Sequence, residues 1–336
     1  MIQSGETLRR RSVFAARRRA APQGFRTARA QASQAARAQP RQDPPMTRII
    51  DALSDISAQY DALFVDLWGC VHNGVAALPD AVAALQAYRR DTGGAVVLVT
   101  NAPRGRAQVE KQLDRLGVAR DAWDTIATSG DSARAAMYRG VVGRKVWFMG
   151  EAHDESFFEP LQVVADPVEI TRVDLKEAEG IVCCGPFDPH ADPDVNRPDF
   201  LYAKQKGLKL LCANPDIVVD RGETREWCAG ALARLYTEMG GESLYFGKPH
   251  PPIYDLARRR LVDLGRDVPD SRILAIGDGA QTDIRGAMGE DLDAVFISGG
   301  LAAEETKTDR QPDPDALEAY LAQETVAPQF AMGQLR

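Results

Sequence analysis

The sequence predicts an open, parallel α/β sheet with a second α/β unit inserted into it. Three observations predict this. Short apolar runs that end in polar residues alternate with helical patterns after Met46. The same alternation returns between residues 243 and 325. The stretch between, 140–242, carries strands of its own. A strand buried on both faces reads as an unbroken apolar run, and strands separated by helices imply parallel pairing with right-handed crossovers.

In chain order, 61–68 (DALFVDLW) is the first buried strand. Pro79 opens a helical pattern with Ala83, Leu85 and Tyr88 among its apolar positions. Residues 95–99 (AVVLV) form a second strand ending at Thr100-Asn101, and 106–116 is amphipathic. Thr125-Ile126-Ala127 leads into Thr128-Ser129-Gly130, where Asp131 is expected to cap a helix. In the insert, 145–149, 180–184 and 208–213 are strands, with a Pro- and Asp-rich loop at 186–198. Residues 244–246 are assigned to the outer unit as a strand, followed by Gly247-Lys248-Pro249 and a helix from about Pro252 with His250 at its start. Residues 273–276 (ILAI) lead into Gly277-Asp278-Gly279 and a helix near 282–288, and 294–298 (AVFIS) is a further strand. The domain reading is therefore 46–139 with 243–325 as the outer unit, 140–242 as the insert and 326–336 as a C-terminal tail.

Residues 1–45 stand apart. They hold ten arginines and two acids, leaving the other 291 residues with 31 basic and 46 acidic groups. The stretch has almost no large apolar residue and is expected to be disordered. Three readings of it stay open: a transit peptide, a basic arm for an acidic partner, or a segment outside the native product, with translation starting at Met46. No apolar region follows Arg10-Arg11, so a twin-arginine signal is disfavoured.

The formal net charge of −7 argues against nucleic acid as a main partner. No apolar stretch reaches the roughly 18 residues a membrane span needs. The cysteines at 70, 183, 184, 212 and 228 are odd in number and lack paired CxxC spacing. Neither a disulfide framework nor a zinc knuckle is indicated, and a reducing, cytoplasmic compartment is the default. Cys183, Cys184 and Cys212 are expected as small core residues of the insert.

Ligands of open parallel sheets bind at the carboxyl ends of the strands. Four such ends carry polar residues: Asp66, Thr100-Asn101, Lys248, and Asp278 with Asp283 five residues on. Carboxylates, a hydroxyl with an amide, and one cation suit a hard divalent metal beside a phosphate. Carboxylates alone would repel phosphate; Mg²⁺ and Lys248 reverse the local field.

The stretches FVDLWGCVHNG, LVTNAPR, FGKPHPPIY and AIGDGAQTDIRGA resemble, in order, the four motifs of the haloacid dehalogenase superfamily. The roughly hundred-residue insert between the second and third resembles its class IIA, which includes N-acetylglucosamine-phosphate, p-nitrophenyl-phosphate and pyridoxal-phosphate phosphatases. ATSG at 127–130 and ANPD at 213–216 also look like class IIA segments. The resemblance implies a Rossmann-like core with a C2-type cap and a Mg²⁺-dependent phosphohydrolase or phosphotransferase acting on a small phosphorylated metabolite. By the same resemblance Asp66 is the nucleophile that forms an aspartyl-phosphate. Thr100 contacts the phosphoryl oxygens with Asn101 alongside, and Lys248 neutralises charge. Asp66, Asp278 and the backbone carbonyl of Trp68 ligate the metal, with Asp283 as ligand or support. Class IIA relatives are often dimers, so a homodimer is left open by analogy.

One position departs from the pattern. Hydrolytic members carry a second Asp two residues after the nucleophile, as general acid and base; here it is Trp68. Such help is worth about 10²–10⁴-fold. His72, a cap residue, or a leaving group that needs no proton could fill the gap. A protein that kept the phosphate cradle but lost turnover is the alternative reading. Metal-independent dehalogenation is a third, against which Asp278 and Asp283 weigh.

Overall fold

The computed structural model describes residues 46–159, 164, 166–221 and 224–336; the Arg-rich stretch 1–45 lies outside them. The first part of the chain supplies β1 (Arg48–Ile49), β2 (Ala62–Val65), β3 (Ala95–Thr100) and β4 (Thr125–Thr128). The middle supplies β5 (Lys145–Met149), β6 (Thr171–Arg172), β7 (Gly180–Cys183), β8 (Lys209–Cys212), β9 (Val218–Arg221), β10 (Thr224–Trp227) and β11 (Glu242–Tyr245). The last part supplies β12 (Ile273–Gly277), β13 (Asp293–Ile297) and β14 (Phe330–Met332).

Seven strands form one sheet in the order β1-β14-β13-β12-β2-β3-β4, and every pairing is parallel. Each buried strand feeds both faces. Leu63 and Val65 pack with Leu98, Ile276 and Leu85 on one side. Ala62 and Phe64 pack with Val97, Ala275, Tyr254 and Ile284 on the other. This is why β2, β3 and β12 read as continuous apolar runs: alternate side chains meet helices above and below. The helix Pro79–Thr92 starts on a proline and stops at Gly93, whose φ of 68° is the left-handed conformation that ends helices.

A second sheet, β11-β8-β7-β5-β6, is also parallel throughout, and β9 and β10 pair antiparallel beside it in sequence. Cys183 and Cys212 are buried in one of its layers and Cys184 in the other, and none of these three forms a disulfide.

Three sequence expectations are corrected. The strand before Lys248 belongs to the inserted sheet, where Leu244 pairs with Leu211, so a boundary at 243 cuts through β11. Residues 326–336 are no tail: β14 lies between β1 and β13, and Ala331, Met332 and Leu335 are buried. Thr128, not Asp131, caps the helix Ser129–Tyr138 by accepting the Asp131 N–H at 2.9 Å. The shorter Thr side chain precedes the helix and can reach back to its open amides, whereas Asp131 already lies in the first turn.

Candidate active site

The register of the larger sheet sets the site. Val65 pairs with both Ile276 and Leu98, so the residues just beyond these strand ends leave the sheet side by side. Asp66 continues this alignment, its N–H bonded to the Ile276 carbonyl at 2.8 Å. β2 is the strand from which the chain runs to β3 on one side while β12 flanks it on the other, the switch point where open sheets bind ligands.

Lys248 joins Asp66 and Asp283. Its Nζ lies 2.5 Å from Asp66 Oδ1 and 2.7 Å from Asp283 Oδ1. All three residues are buried. The two carboxylates hold the ammonium well above its ordinary pKa despite burial, so it stays charged. Asp283 also accepts the Gly279 N–H at 3.1 Å. It fits because Gly277 has no side chain: a Cβ there would lie 2.1 Å from Asp283 Cγ.

Asp278 accepts the Leu301 N–H at 3.1 Å. It is crowded by Gly69 and Gly300, where a Cβ would fall 2.0 and 2.1 Å from its Oδ2. Burial first, then the charges of Asp66 and Asp283, raise its pKa well above the carboxylate range. Burial raises Asp66 too, with Lys248 pulling it down, and lifts Asp283 to about 6. Three buried carboxylates thus share one ammonium, and the surplus of negative charge calls for a cation. Atoms of Asp66, Asp278 and Cys70 lie within 4.8 Å of one another. The donor set of Asp66 and Asp278 fits a hard divalent ion.

Thr100 ends β3, buried, with its hydroxyl accepting the Ala102 N–H at 3.3 Å. Asn101, expected beside it on the phosphoryl group, is otherwise engaged. Its Oδ1 accepts the Lys248 N–H at 2.7 Å, and its Nδ2 donates to the Lys248 carbonyl at 3.1 Å and to Asp216 Oδ1 at 2.8 Å. A carboxamide has two N–H protons, and both are spent, so Asn101 positions the Lys248 loop.

Trp68 is half-buried, its ring edge-on to His72 at 5.4 Å and 72°. His72 is buried, accepts the Gly74 N–H on Nδ1 at 3.1 Å, and is pushed down to about 4 by burial. It is neutral near pH 7, which removes it as the acid that the Trp68 position lacks. His250 precedes the helix Pro251–Asp263 and stacks on Tyr245. Two residues at the site went unassigned from sequence. Cys70 lies one helical turn's spacing from Asp66, and Asp216 is the last residue of the ANPD segment.

A parallel sheet whose switch point gathers a buried carboxylate, an ammonium and further acids defines a hydrolase of the haloacid dehalogenase type. Family comparison agrees: a haloacid dehalogenase-like hydrolase model matches residues 63–163, and a HAD-hydrolase-like model matches 245–323. The crystal structure of a haloacid dehalogenase-like hydrolase from Brucella suis 1330 is 37% identical, with a TM-score of 0.73, covering 86% of this chain and 100% of its own. This chain belongs to the haloacid dehalogenase-like hydrolase family. Two more distant structures share the fold. A 4-nitrophenylphosphatase from Thermotoga maritima is 17% identical (TM-score 0.61), covering 83% of this chain and 96% of that one. A p-nitrophenyl phosphatase from Archaeoglobus fulgidus is 19% identical (TM-score 0.63), covering 82% and 96%. No curated protein sequence matches. Among the described residues no helix is long and apolar enough to cross a membrane.

Proposed function

We propose that the protein is a Mg²⁺-dependent phosphohydrolase, or phosphotransferase, acting on a small phosphorylated metabolite through an aspartyl-phosphate on Asp66. The observation that carries this is the Lys248 ammonium bonded to both Asp66 and Asp283 at the sheet's switch point. The phosphatase names of the distant structural relatives support the same reading.

Asp66 Oδ attacks phosphorus, the bond to the leaving oxygen breaks, and water later cleaves the aspartyl-phosphate. Lys248 offsets the charge of nucleophile and phosphate, which would otherwise repel. The Thr100 hydroxyl donates to a phosphoryl oxygen. Asp66, Asp278 and the Trp68 carbonyl would hold Mg²⁺, with Asp283 bracing Lys248 and the Gly279 amide. Bound there, Mg²⁺ supplies charge neutralisation to the phosphoryl oxygens. The inserted unit closes over the substrate and sets its identity, since the motif residues see only the phosphate. The chain works in the cytoplasm on a small molecule.

The test is p-nitrophenyl phosphate turnover with Mg²⁺, with and without chelator, against an Asp66→Asn control. The reading expects Mg²⁺-dependent release that the control lacks. Equal rates in both proteins overturn the enzyme reading in favour of a metabolite-binding role. Halide release that survives chelation overturns the phosphate chemistry.

A further inference from the structure

We infer that Asp216, carried by the inserted unit, is the general acid and base that Trp68 cannot be. The inference deepens the phosphohydrolase reading and rests on it.

Asp216 follows β8 in a turn built to hold it. Its N–H bonds Asn214 Oδ1 at 3.0 Å, and its carbonyl accepts the Gly230 N–H at 3.1 Å. Gly230 allows this approach: a Cβ there would lie 2.1 Å from the Pro215 carbonyl oxygen and 2.4 Å from that of Asp216. The turn also packs on the loop that delivers Lys248, for a Cβ on Gly247 would lie 2.7 Å from Pro215 Cδ.

The side chain then crosses from the inserted unit to the larger sheet. Asp216 Oδ1 accepts from Asn101 Nδ2 at 2.8 Å, across 115 residues. The same Asn101 amide holds both polar groups of the Lys248 peptide. One carboxamide therefore sets the spacing between Lys248 and Asp216. Asp66, Asp283 and Lys248 all lie in the electrostatic range of this carboxyl. Among the described residues Oδ2 of Asp216 has no hydrogen-bond partner, and the residue keeps part of its surface exposed. Burial raises its pKa above the usual carboxylate value, against the pull of Asn101 and Lys248.

For this role, an in-line displacement by Asp66 has to direct the leaving oxygen toward the inserted unit that carries Asp216. As the Asp66 oxygen–phosphorus bond forms and the phosphorus–leaving-oxygen bond breaks, the Asp216 carboxyl gives its proton to the leaving oxygen. The alcohol departs and Asp216 is left as carboxylate. In the second half water attacks phosphorus, Asp216 takes the water proton, and the phosphorus bond to Asp66 breaks. Phosphate is released and both carboxyl groups are restored.

The test is a leaving-group series with Asp216→Asn. The variant can still accept from Asn101 but carries no acidic proton. Turnover of phenyl phosphate should fall by about 10²-fold or more, and that of p-nitrophenyl phosphate by less than about tenfold, since a stabilised phenolate needs little protonation. Trp68→Asp placed in the Asp216→Asn background should restore phenyl phosphate turnover, and a thermal melt reports whether each variant folds. An equal loss on both esters, or no loss, in a folded variant overturns the inference and leaves the phosphohydrolase reading standing. A wild type that cleaves p-nitrophenyl phosphate but not phenyl phosphate also overturns it. A wild type that cleaves neither, like its Asp66→Asn control, removes the phosphohydrolase reading itself.

Discussion

Asn101 accepts from the Lys248 N–H at 2.7 Å and donates to the Lys248 carbonyl at 3.1 Å, so one side chain pairs both polar groups of a residue 147 positions away. A buried amide and carbonyl left without partners cost about 1–3 kcal/mol each. Asn101→Ala is therefore expected to destabilise the fold by about 2–6 kcal/mol in urea denaturation. Its kcat should fall as the ammonium loses its fixed place against Asp66. An activity loss with unchanged stability would instead mark Asn101 as a direct phosphate contact.

Removing a carboxylate should stabilise the metal-free protein near neutral pH. Asp278 and Asp283 have folded pKa values above the ordinary 3.8 of the unfolded chain, Asp283 at about 6. The folded state then holds protons that the unfolded state has lost. Stability from such a group is present below the unfolded value and falls as pH rises through the folded one, about pH 4 to 6 for Asp283 and further up for Asp278. His72, held down at about 4 from 6.5, acts oppositely: its contribution is present above 6.5 and lost as pH falls toward 4. Comparing Asp278→Asn with wild type cancels His72. In chelator the variant should be the more stable at pH 7, with the gap closing toward pH 4. With Mg²⁺ the order should reverse, because only the wild type gains binding energy. Melts at three pH values, with and without Mg²⁺, check both signs.

The parts of this arrangement that sequence could reveal are those where local chemistry and tertiary role coincide. β2, β3 and β12 are buried on both faces, so each is a pure apolar run, and the polar residue ending it is conspicuous. β14 has three residues and β1 two, too short for any period to show, and only pairing with β13 reveals the former as a strand. β11 looks like a strand wherever it is placed; its partner β8 decides that Lys248 reaches the site from the inserted sheet. Asp216 is one acid in an Asn-Pro-Asp turn, and its meeting with Asn101 is set by how the two sheets pack.

Trp68 and Gly74 are coupled. Gly74 has φ of 83°, and a Cβ there would lie 2.1 Å from the far edge of the Trp68 ring. Gly74→Ala meets both backbone strain, about 1–2 kcal/mol for a left-handed residue, and that collision. Trp68→Phe shortens the ring and removes the collision alone. The two changes should therefore be non-additive, with a coupling of about 0.5–3 kcal/mol in a double-mutant cycle. Trp68→Phe alone should retain Mg²⁺-dependent turnover, because the group assigned to the metal at this position is the peptide carbonyl. Loss of Mg²⁺ response in that variant would show that the indole shapes the metal site directly.

Gly300 offers the cleanest handle on Asp278. A Cβ at position 300 would lie 2.1 Å from Asp278 Oδ2 and 2.6 Å from its Cβ. The backbone of Gly300 is not in the left-handed region, so alanine brings no strain of its own there. The added methyl must displace the carboxylate from its present place, and the Leu301 N–H loses its acceptor. Gly300→Ala is thus expected to weaken Mg²⁺ binding by about tenfold or more, the cost of roughly one charge-assisted hydrogen bond. Titration calorimetry on the metal-free protein reads this directly. Turnover should recover in part at high Mg²⁺, since Asp66 and Lys248 are untouched, whereas Asp66→Asn should not recover at any concentration. If Gly300→Ala bound Mg²⁺ as the wild type does, Asp278 could not be a ligand, and the cation would have to sit against Asp66 and Asp283 instead.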